Sequence, residues 1–288
     1  MFGGVEAGGT KFVCAVGTGP GDVRDAALPT TTPAETLARV VDFLRPHRPG
    51  AVGIASFGPL DLDPTSPTFG FITDTPKPGW SRVDMVGPLR RALGVSVAID
   101  TDVNAAALAE WRWGAGVGAD PVVYVTVGSG IGGGALVDGR PLHGLVHPEM
   151  GHMRIPRVPG DDFAGACPFH GDCLEGLASA PALRARRGLP PEALAVDDPV
   201  WALEARYLGL GLANIVTVLS PRRIVLGGGV LKHPTLLARV RVEVQAALAG
   251  YVRAAAVTER IEELIVAPAL GERAGVLGAL ALAAHKGV

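Results

Sequence analysis

A pattern of strand, glycine turn and strand occurs twice in this chain, about one domain length apart. Residues 3–16 read GGVEAGGTKFVCAV, and residues 122–137 read VVYVTVGSGIGGGALV. A third glycine cluster, at residues 227–229, ends another apolar run. The repetition predicts a duplicated α/β unit with two lobes, whose glycine-turn N–H groups face one anionic ligand. Each turn taken alone is equally compatible with an ordinary hairpin.

Composition narrows the class of protein. The chain has 288 residues, 48% of them hydrophobic, which is enough for one large domain or two of ordinary size. Its net charge of −2 and its lack of a basic run make nucleic acid and anionic membranes poor candidates as partners. The first residues show no basic leader followed by an apolar stretch, and no apolar run reaches the roughly 20 residues of a membrane span. A cytoplasmic location is therefore expected.

The glycine loops do not match two common nucleotide-binding motifs. None has the G-x-x-x-x-G-K-[ST] spacing of a P-loop. Residues 128–133, GSGIGG, match G-x-G-x-x-G, but they lie between two predicted strands instead of opening a helix. No ribose-binding acidic residue follows at the expected distance, so a Rossmann unit is not predicted.

One segment rich in glycine and proline also contains several metal-ligand side chains. Cys167, His170 and Cys173 have the spacing C-x2-H-x2-C, and His152 lies fifteen residues before the first cysteine. Two thiolates and two imidazoles suit a closed tetrahedral zinc site, which would hold this loop in one shape. A disulfide and a pair of free buried thiols are the alternatives. The disulfide is disfavoured because nothing else in the chain indicates secretion.

These segments together resemble the ROK family of sugar kinases and related repressors, over nearly the whole chain. The matching segments are EAGGTK at 6–11, ASFGPLDL at 55–62, DTDVNAAALAE at 100–110, TVGSGIGGG at 126–134, HPEMGH at 147–152, CPFHGDCLEG at 167–176 and GGGVL at 227–231. The resemblance implies a two-lobed α/β fold of the actin-like, ribonuclease-H-like class. It places the first lobe at 1–110 and the second, with the zinc loop, at 111–271. A C-terminal helix at about 272–288 is expected to pack back on the first lobe.

Three departures from the commoner family pattern resemble the bacterial fructokinase branch. A second histidine replaces a cysteine of C-x-C-G-x-x-G-C-x-E, Thr101 stands where Asn is commoner, and EAGGTK replaces D-x-G-G-T. We therefore expect ATP-dependent phosphorylation of D-fructose to fructose 6-phosphate. Glucose, mannose and N-acetylmannosamine are the alternative acceptors. A sugar-binding module or regulator is the non-enzymatic alternative, and the presence of Asp102 and of three glycine loops favours the enzyme over it. No helix-turn-helix segment precedes the first strand, which argues against the repressor branch.

The resemblance also assigns roles to single residues. Asp102 would be the base that accepts the proton of the sugar's primary hydroxyl, unless it is only the N-cap of the helix that begins there. The candidate sugar-binding residues are Gly58, Pro59, Asn104, Glu149, His152 and Glu175. The candidate ATP-binding residues are Gly8, Gly9, Thr10, Lys11, Gly128, Ser129, Gly130, Pro181, Gly227, Gly228, Gly229, Val230 and Leu231. The zinc ligands would be His152, Cys167, His170 and Cys173.

Hexose and ATP are thus the expected ligands, with Mg²⁺ accompanying ATP and zinc in a structural role. Glu6 is a candidate to hold waters of the Mg²⁺, and Lys11 either contacts phosphate or is a solvated hairpin charge. Asp100 either supports the site through its neighbours or simply ends a strand. Kinases of the ROK family are often dimers, so the resemblance implies a homodimer, which we expect to form through the second lobe.

Overall fold

The computed structural model describes residues 1–285, which form an α/β protein. Its strands are β1 (Phe2–Ala7), β2 (Lys11–Gly17), β3 (Arg24–Pro29), β4 (Ala51–Ser56), β5 (Ser96–Thr101), β6 (Val122–Val127), β7 (Ile131–Val137), β8 (Arg140–Pro141), β9 (Arg223–Gly227) and β10 (Ile265–Val266). Its α-helices are α1 (Pro33–Leu44), α2 (Gly87–Leu93), α3 (Asp102–Trp113), α4 (Leu174–Ala178), α5 (Ala180–Arg187), α6 (Val200–Leu219), α7 (Leu236–Leu248), α8 (Ala255–Thr258), α9 (Ile261–Leu264) and α10 (Ala274–Ala284).

The first compact unit contains Met1–Val117, Gly139–Pro148 and the chain from Leu270 onward. Its five-stranded sheet has the order β3-β2-β1-β4-β5. Strand β1 pairs antiparallel with β2, as the strand–turn–strand pattern predicted, whereas β1, β4 and β5 run parallel. The carboxyl ends of the three parallel strands therefore lie at one edge of the sheet, which is where ligands bind in open α/β sheets.

Helix α10 packs against β1, β4 and α3 in this unit. Eight of the eleven residues of the helix are buried and none is exposed, and its sequence is apolar on all sides. Glycines permit the close approach: a Cβ at Gly53 would lie 1.9 Å from the Ala279 carbonyl oxygen, and one at Gly278 would lie 2.1 Å from that of Ala105. The last residues assigned to this helix from the sequence, 286–288, lie outside the described residues.

The second compact unit contains Gly118–Asp138 and Glu149–Ala269. Four strands of its sheet have the order β10-β9-β6-β7. Strand β6 pairs antiparallel with β7 and parallel with β9, and β9 pairs parallel with β10. This arrangement repeats β5-β4-β1-β2 of the first unit, so the predicted duplication is confirmed by the topology.

The observed grouping differs from the predicted division between residues 110 and 111. Helix α3 runs on to Trp113, so a boundary at 110 would cut through a helix. Residues 139–148 also group with the first unit. A Cβ at Gly139 would lie 3.1 Å from the Trp111 ring, and His143 contacts Asp100 at 3.0 Å.

Helix α6 is, among the described residues, the one helix long and apolar enough to cross a membrane by length and composition. Glu204 and Arg206 interrupt its apolar run. More than half of its residues are buried, including Trp201 and Tyr207, and it packs against α4 and α7. These contacts are those of a core helix.

Candidate active site

In the first unit, three of the predicted segments follow parallel strands at the same edge of the sheet. Gly8 follows β1, Gly58 follows β4 and Asp102 follows β5. The register of the three strands brings these positions to neighbouring points of one edge, although they are far apart in sequence.

The turn between β1 and β2 is formed by Gly8, Gly9 and Thr10. The Gly8 N–H donates to the Lys11 carbonyl oxygen at 3.0 Å, and a Cβ at Gly8 would lie 2.6 Å from that oxygen. Only glycine therefore fits the first position of the turn. Thr30 Oγ1 donates to the Gly8 carbonyl oxygen at 2.9 Å, which holds the turn while its tip remains exposed.

Asp102 is the first residue of α3, and the N-cap of that helix is Thr101. The Thr101 Oγ1 accepts a hydrogen bond from the Asn104 backbone N–H at 3.1 Å. The alternative interpretation of Asp102 as the cap is therefore wrong. The Asp102 Oδ1 accepts a hydrogen bond from the Val103 N–H at 2.9 Å, which orients the carboxylate at the start of the helix.

Asp100 is completely buried and connects three neighbouring groups. Its Oδ1 accepts hydrogen bonds from the Thr101 backbone N–H at 2.7 Å and from Asn104 Nδ2 at 2.8 Å. Its Oδ2 lies 3.0 Å from His143 Nε2. This hydrogen bond raises the pKa of His143, although partial burial of the ring opposes the rise. Asp100 thus does more than end a strand.

Glu6 lies on β1, close to Asp102 and Lys11. Burial, followed by the charge of Asp102, raises the pKa of Glu6 to about 7, while the Lys11 charge and a hydrogen bond from the Val276 N–H oppose the rise. A Cβ at Gly275 would lie 2.4 Å from Glu6 Oε1, so the glycine makes room for this carboxyl group.

Two histidines that sequence reasoning did not assign also contact this edge. His147 is buried, and its Nε2 accepts a hydrogen bond from the Leu60 N–H at 3.3 Å. The same nitrogen would lie 3.5 Å from a Cβ at Gly58, so His147 supports the turn that contains Gly58 and Pro59. His143 contacts Asp100, as described above. The available signal was the presence of three of the chain's seven histidines within residues 143–152.

In the second unit, the predicted ATP-binding segments meet near the carboxyl end of β6. The Gly128 N–H donates to the Gly130 carbonyl oxygen at 2.8 Å, which closes the turn around Ser129. The Ala180 N–H donates to the Gly128 carbonyl oxygen at 2.8 Å. This bond joins the start of α5, where Pro181 is the second residue, to the glycine turn.

The third glycine cluster contacts the same strand. Gly227 ends β9, and Gly229 precedes a 3-10 turn, Val230–Lys232, whose second residue donates its N–H to the Gly228 carbonyl oxygen at 3.2 Å. Gly228 has a φ of +99°, and a Cβ there would lie 2.3 Å from the Val127 carbonyl oxygen. Both the dihedral angle and the contact require glycine.

Two candidate sugar-binding glutamates lie on either side of the cysteine–histidine loop. Glu175 Oε2 accepts a hydrogen bond from the Ile131 N–H at 2.9 Å, and a Cβ at Gly130 would lie 2.6 Å from that oxygen. Glu149 precedes the 3-10 turn Met150–His152, and its carbonyl oxygen accepts from the His152 N–H at 3.0 Å. The loop is thus in direct contact with the second glycine turn.

The four predicted metal ligands form one cluster, with all ligand atoms within 4.8 Å of one another. His152 Nδ1 lies 3.7 Å from Cys167 Sγ and 3.6 Å from Cys173 Sγ, and His170 Nδ1 lies 3.7 Å from Cys167 Sγ. Zinc–sulfur bonds of about 2.3 Å and zinc–nitrogen bonds of about 2.0 Å in a tetrahedron separate these ligands by roughly 3.5 Å. The donor set and its spacing therefore fit zinc.

The cysteines are free thiols, so the disulfide alternative is wrong. Burial, more than any other cause, raises the pKa of Cys173 to about 11. Zinc binds the thiolate, so a bound ion would reverse this shift. The Nδ1 atom of His152 faces the two sulfurs, which leaves Nε2 on the other edge of the ring for another contact.

Comparison with known proteins shows which family the chain resembles. The ROK family model matches residues 2–286. A fructokinase from Zymomonas mobilis subsp. mobilis is 47% identical, over 98% of this chain and 96% of that protein. A fructokinase from Pediococcus pentosaceus is 40% identical, over 98% of this chain and 97% of that protein. The crystal structure of a ROK hexokinase from Thermus thermophilus has a TM-score of 0.82 at 28% identity, covering 98% of this chain and 97% of the other.

The family and the fold follow from these observations. The duplicated sheet topology and the similarity to the solved hexokinase show the α/β, actin-like fold of sugar kinases. The family model spans nearly the whole chain, and the relatives match over nearly their full length. The chain belongs to the ROK family.

Proposed function

We propose that this chain is a fructokinase, which transfers the γ-phosphoryl group of ATP to the O6 hydroxyl of D-fructose. The observation that carries the proposal is its identity of 40–47% with fructokinases over 98% of the chain. Each unit also has a structural feature that supports a kinase. The first unit gathers a carboxylate and hydrogen-bonding side chains at one sheet edge, and the second gathers glycine turns suited to phosphate.

Asp102 is proposed as the base of the reaction. The bond between O6 and the γ-phosphorus forms, the O6–H proton passes to the Asp102 carboxylate, and the bond from phosphorus to the bridging oxygen breaks to release ADP. Because the transition state of phosphoryl transfer is loose, the main contribution of the carboxylate is to orient O6. Its place in the first turn of α3 and the hydrogen bond from the Val103 N–H fix the direction of the carboxylate.

Asn104 is proposed to contact the acceptor sugar. Its Nδ2 donates to the Asp100 carboxylate, which can only accept, so Oδ1 lies on the other side of the amide. Within the described chain this buried Oδ1 has no hydrogen-bond partner. A sugar hydroxyl that donates to it would satisfy an atom whose isolation costs about 1–3 kcal/mol. The other proposed sugar contacts are Gly58, Pro59, Glu149, His152 and Glu175.

Each unit by itself contains residues that are proposed to bind ATP. The residues are Gly8, Gly9, Thr10 and Lys11 in the first unit, and Gly128, Ser129, Gly130, Pro181, Gly227, Gly228, Gly229, Val230 and Leu231 in the second. Mg²⁺ that accompanies ATP would neutralise charge on the phosphates as it develops. The repulsion between Glu6 and Asp102 supports this proposal, because a cation nearby would relieve it.

We propose that His152, Cys167, His170 and Cys173 hold a structural zinc ion. The support is the fit of their spacing to a tetrahedral site. The ion would hold the loop that carries Glu175 and would take no part in the transfer itself.

We also propose a homodimer formed through the second unit. That unit exposes several apolar side chains, among them Val218, Val242 and Tyr251. A monomer in light scattering at micromolar concentration would contradict the dimer. Because ATP is an intracellular metabolite, we propose a cytoplasmic location for the enzyme.

A coupled assay of ADP release tests the proposed reaction. We expect MgATP to support phosphorylation of fructose, with slower turnover of glucose, mannose and N-acetylmannosamine in terms of kcat/KM. A higher kcat/KM for one of the other three sugars would reassign the acceptor and leave the kinase intact. No ADP release with any of the four, in protein that binds sugar, would favour a regulator.

A further inference from the structure

The loop at residues 139–148 contains His143, which contacts the segment that carries the proposed base Asp102. His143 lies 43 residues beyond Asp100 in sequence, and its Nε2 lies 3.0 Å from Asp100 Oδ2. Asp100 is 0% exposed, whereas the His143 side chain is 34% exposed. The other carboxylate oxygen is already occupied by the Thr101 backbone N–H and by Asn104 Nδ2. His143 thus supplies the remaining donor to a buried carboxylate.

The direction of the Asn104 amide depends on this carboxylate. A carboxylate accepts hydrogen bonds and cannot donate them, so Asp100 selects the NH₂ side of the amide. The Oδ1 side is then turned away from Asp100, where it is buried without a partner among the described residues. If Asp100 rotated, it would lose its hold on the amide, and Asn104 would be free to turn its oxygen elsewhere.

His143 is suited to prevent that rotation. Asn104 Nδ2 lies 3.5 Å from His143 Nε2 and 2.8 Å from Asp100 Oδ1, so the amide donates to the carboxylate by preference. Because Nε2 faces a carboxylate oxygen, it must carry a proton. A hydrogen bond at each oxygen then fixes the plane of the carboxylate. The direction of the pKa shift of His143 agrees with this contact.

We propose that His143 is a positioning residue for acceptor recognition: through Asp100 it holds the Asn104 amide with its oxygen ready to accept a hydroxyl of the sugar. This inference rests on the proposed sugar kinase activity. The effect should fall on sugar binding, because neither His143 nor Asp100 is proposed to touch the nucleotide or the transferred phosphoryl group.

Two substitutions at one position separate this role from general support of the fold. His143→Ala removes the donor to Asp100, whereas His143→Gln keeps an N–H donor at the end of a side chain of similar reach. We expect His143→Ala to raise KM for fructose roughly tenfold or more, with a much smaller change in kcat and no change in KM for ATP. His143→Gln should restore most of the wild-type KM. The control is His47→Ala. His47 follows α1 and packs against Phe43 of that helix.

The inference is overturned if His143→Ala leaves KM for fructose unchanged, or if it lowers kcat while the sugar and ATP KM values stay equal to wild type. A glutamine variant as impaired as the alanine variant also contradicts it. A measurement independent of activity is the ¹⁵N chemical shift of the His143 ring, which should show a protonated Nε2; an unprotonated Nε2 rejects the contact. Wild-type protein without any hexose kinase activity would instead reject the proposed function, and the ring measurement would still decide whether His143 donates to Asp100.

Discussion

The Glu175 carboxylate accepts a hydrogen bond from the Ile131 backbone N–H at 2.9 Å. Glu175 follows Cys173, a proposed metal ligand, by two residues, and Ile131 directly follows the glycine turn at 128–130. The cysteine–histidine cluster is therefore joined to the glycine turn through one side chain. Disorder in the loop that carries the cysteine–histidine cluster is therefore expected to disturb the glycine turn through this hydrogen bond.

Loss of the metal is expected to affect stability and both substrates. Cys173→Ala should lower the bound zinc from one equivalent per chain to well below one, lower the Tm and raise KM for fructose and for ATP, because loop order and metal binding are linked. Elemental analysis, thermal unfolding and steady-state kinetics measure the three effects.

The matched control is Cys14→Ala, which removes a buried thiol outside the cluster. This variant should retain its zinc. Folded, active wild-type protein that contains less than about a tenth of an equivalent of zinc would contradict the assignment.

The variant Asp102→Asn tests whether Asp102 acts as the base of the reaction or only supports the start of the helix. We expect kcat to fall by about 10²–10⁴ while fructose and ATP still bind, because the variant keeps the shape of the side chain and loses the proton acceptor. Its stability should change little, since Thr101 provides the cap.

The companion variant is Thr101→Ala, which should lower the free energy of unfolding by about 1 kcal/mol through loss of the cap. Urea unfolding and single-turnover kinetics compare the two. An Asp102→Asn enzyme with more than half of the wild-type kcat would show that the carboxylate is not the base.

Gly228→Ala should disturb the glycine turn that is proposed to bind ATP. At a φ of +99° a side chain is strained, and the new Cβ would lie 2.3 Å from the Val127 carbonyl oxygen, so the strand end or the turn must move. We expect a lower Tm and a raised KM for ATP. Gly21→Ala is the control, because its Cβ meets nothing within 4 Å and its φ is not in the positive range. Equal behaviour of the two variants would contradict the prediction.

Glu6 should make stability depend on pH in the absence of Mg²⁺. Its pKa rises from 4.5 to about 7 on folding, mainly through burial. Between these pH values the folded state binds the extra proton, so the free energy of unfolding falls as pH rises through this range and stays lower above it. Glu6→Gln cannot ionise and should be more stable than wild type at pH 8 by on the order of 1–3 kcal/mol, with no difference below pH 4.5.

Thermal and urea unfolding of wild type and Glu6→Gln at several pH values check this slope. Glu259→Gln, at an exposed glutamate, is the control and should follow wild type. The prediction fails if Glu6→Gln is less stable than wild type at pH 8, since the carboxylate would then stabilise the fold.

Local patterns in the sequence predicted several strands of this protein and its cysteine–histidine cluster. The alternation of apolar runs and glycine turns predicted β1 with β2 and β6 with β7. The spacing of the two cysteines and two histidines predicted a cluster that the structure brings within 4.8 Å. These features depend on side-chain type and short-range spacing, which a sequence displays directly.

Tertiary structure decided the contacts that join distant segments. His147 meets Leu60 across 87 residues, and His143 meets Asp100 across 43, because residues 139–148 group with the first unit although they follow the first hairpin of the second. The N-cap of α3 is Thr101 and not Asp102, because Thr101 still has an extended backbone and the helix begins at Asp102. Such outcomes depend on where the chain turns and on which backbone angles packing selects, and neither is encoded in the spacing of residues along one segment.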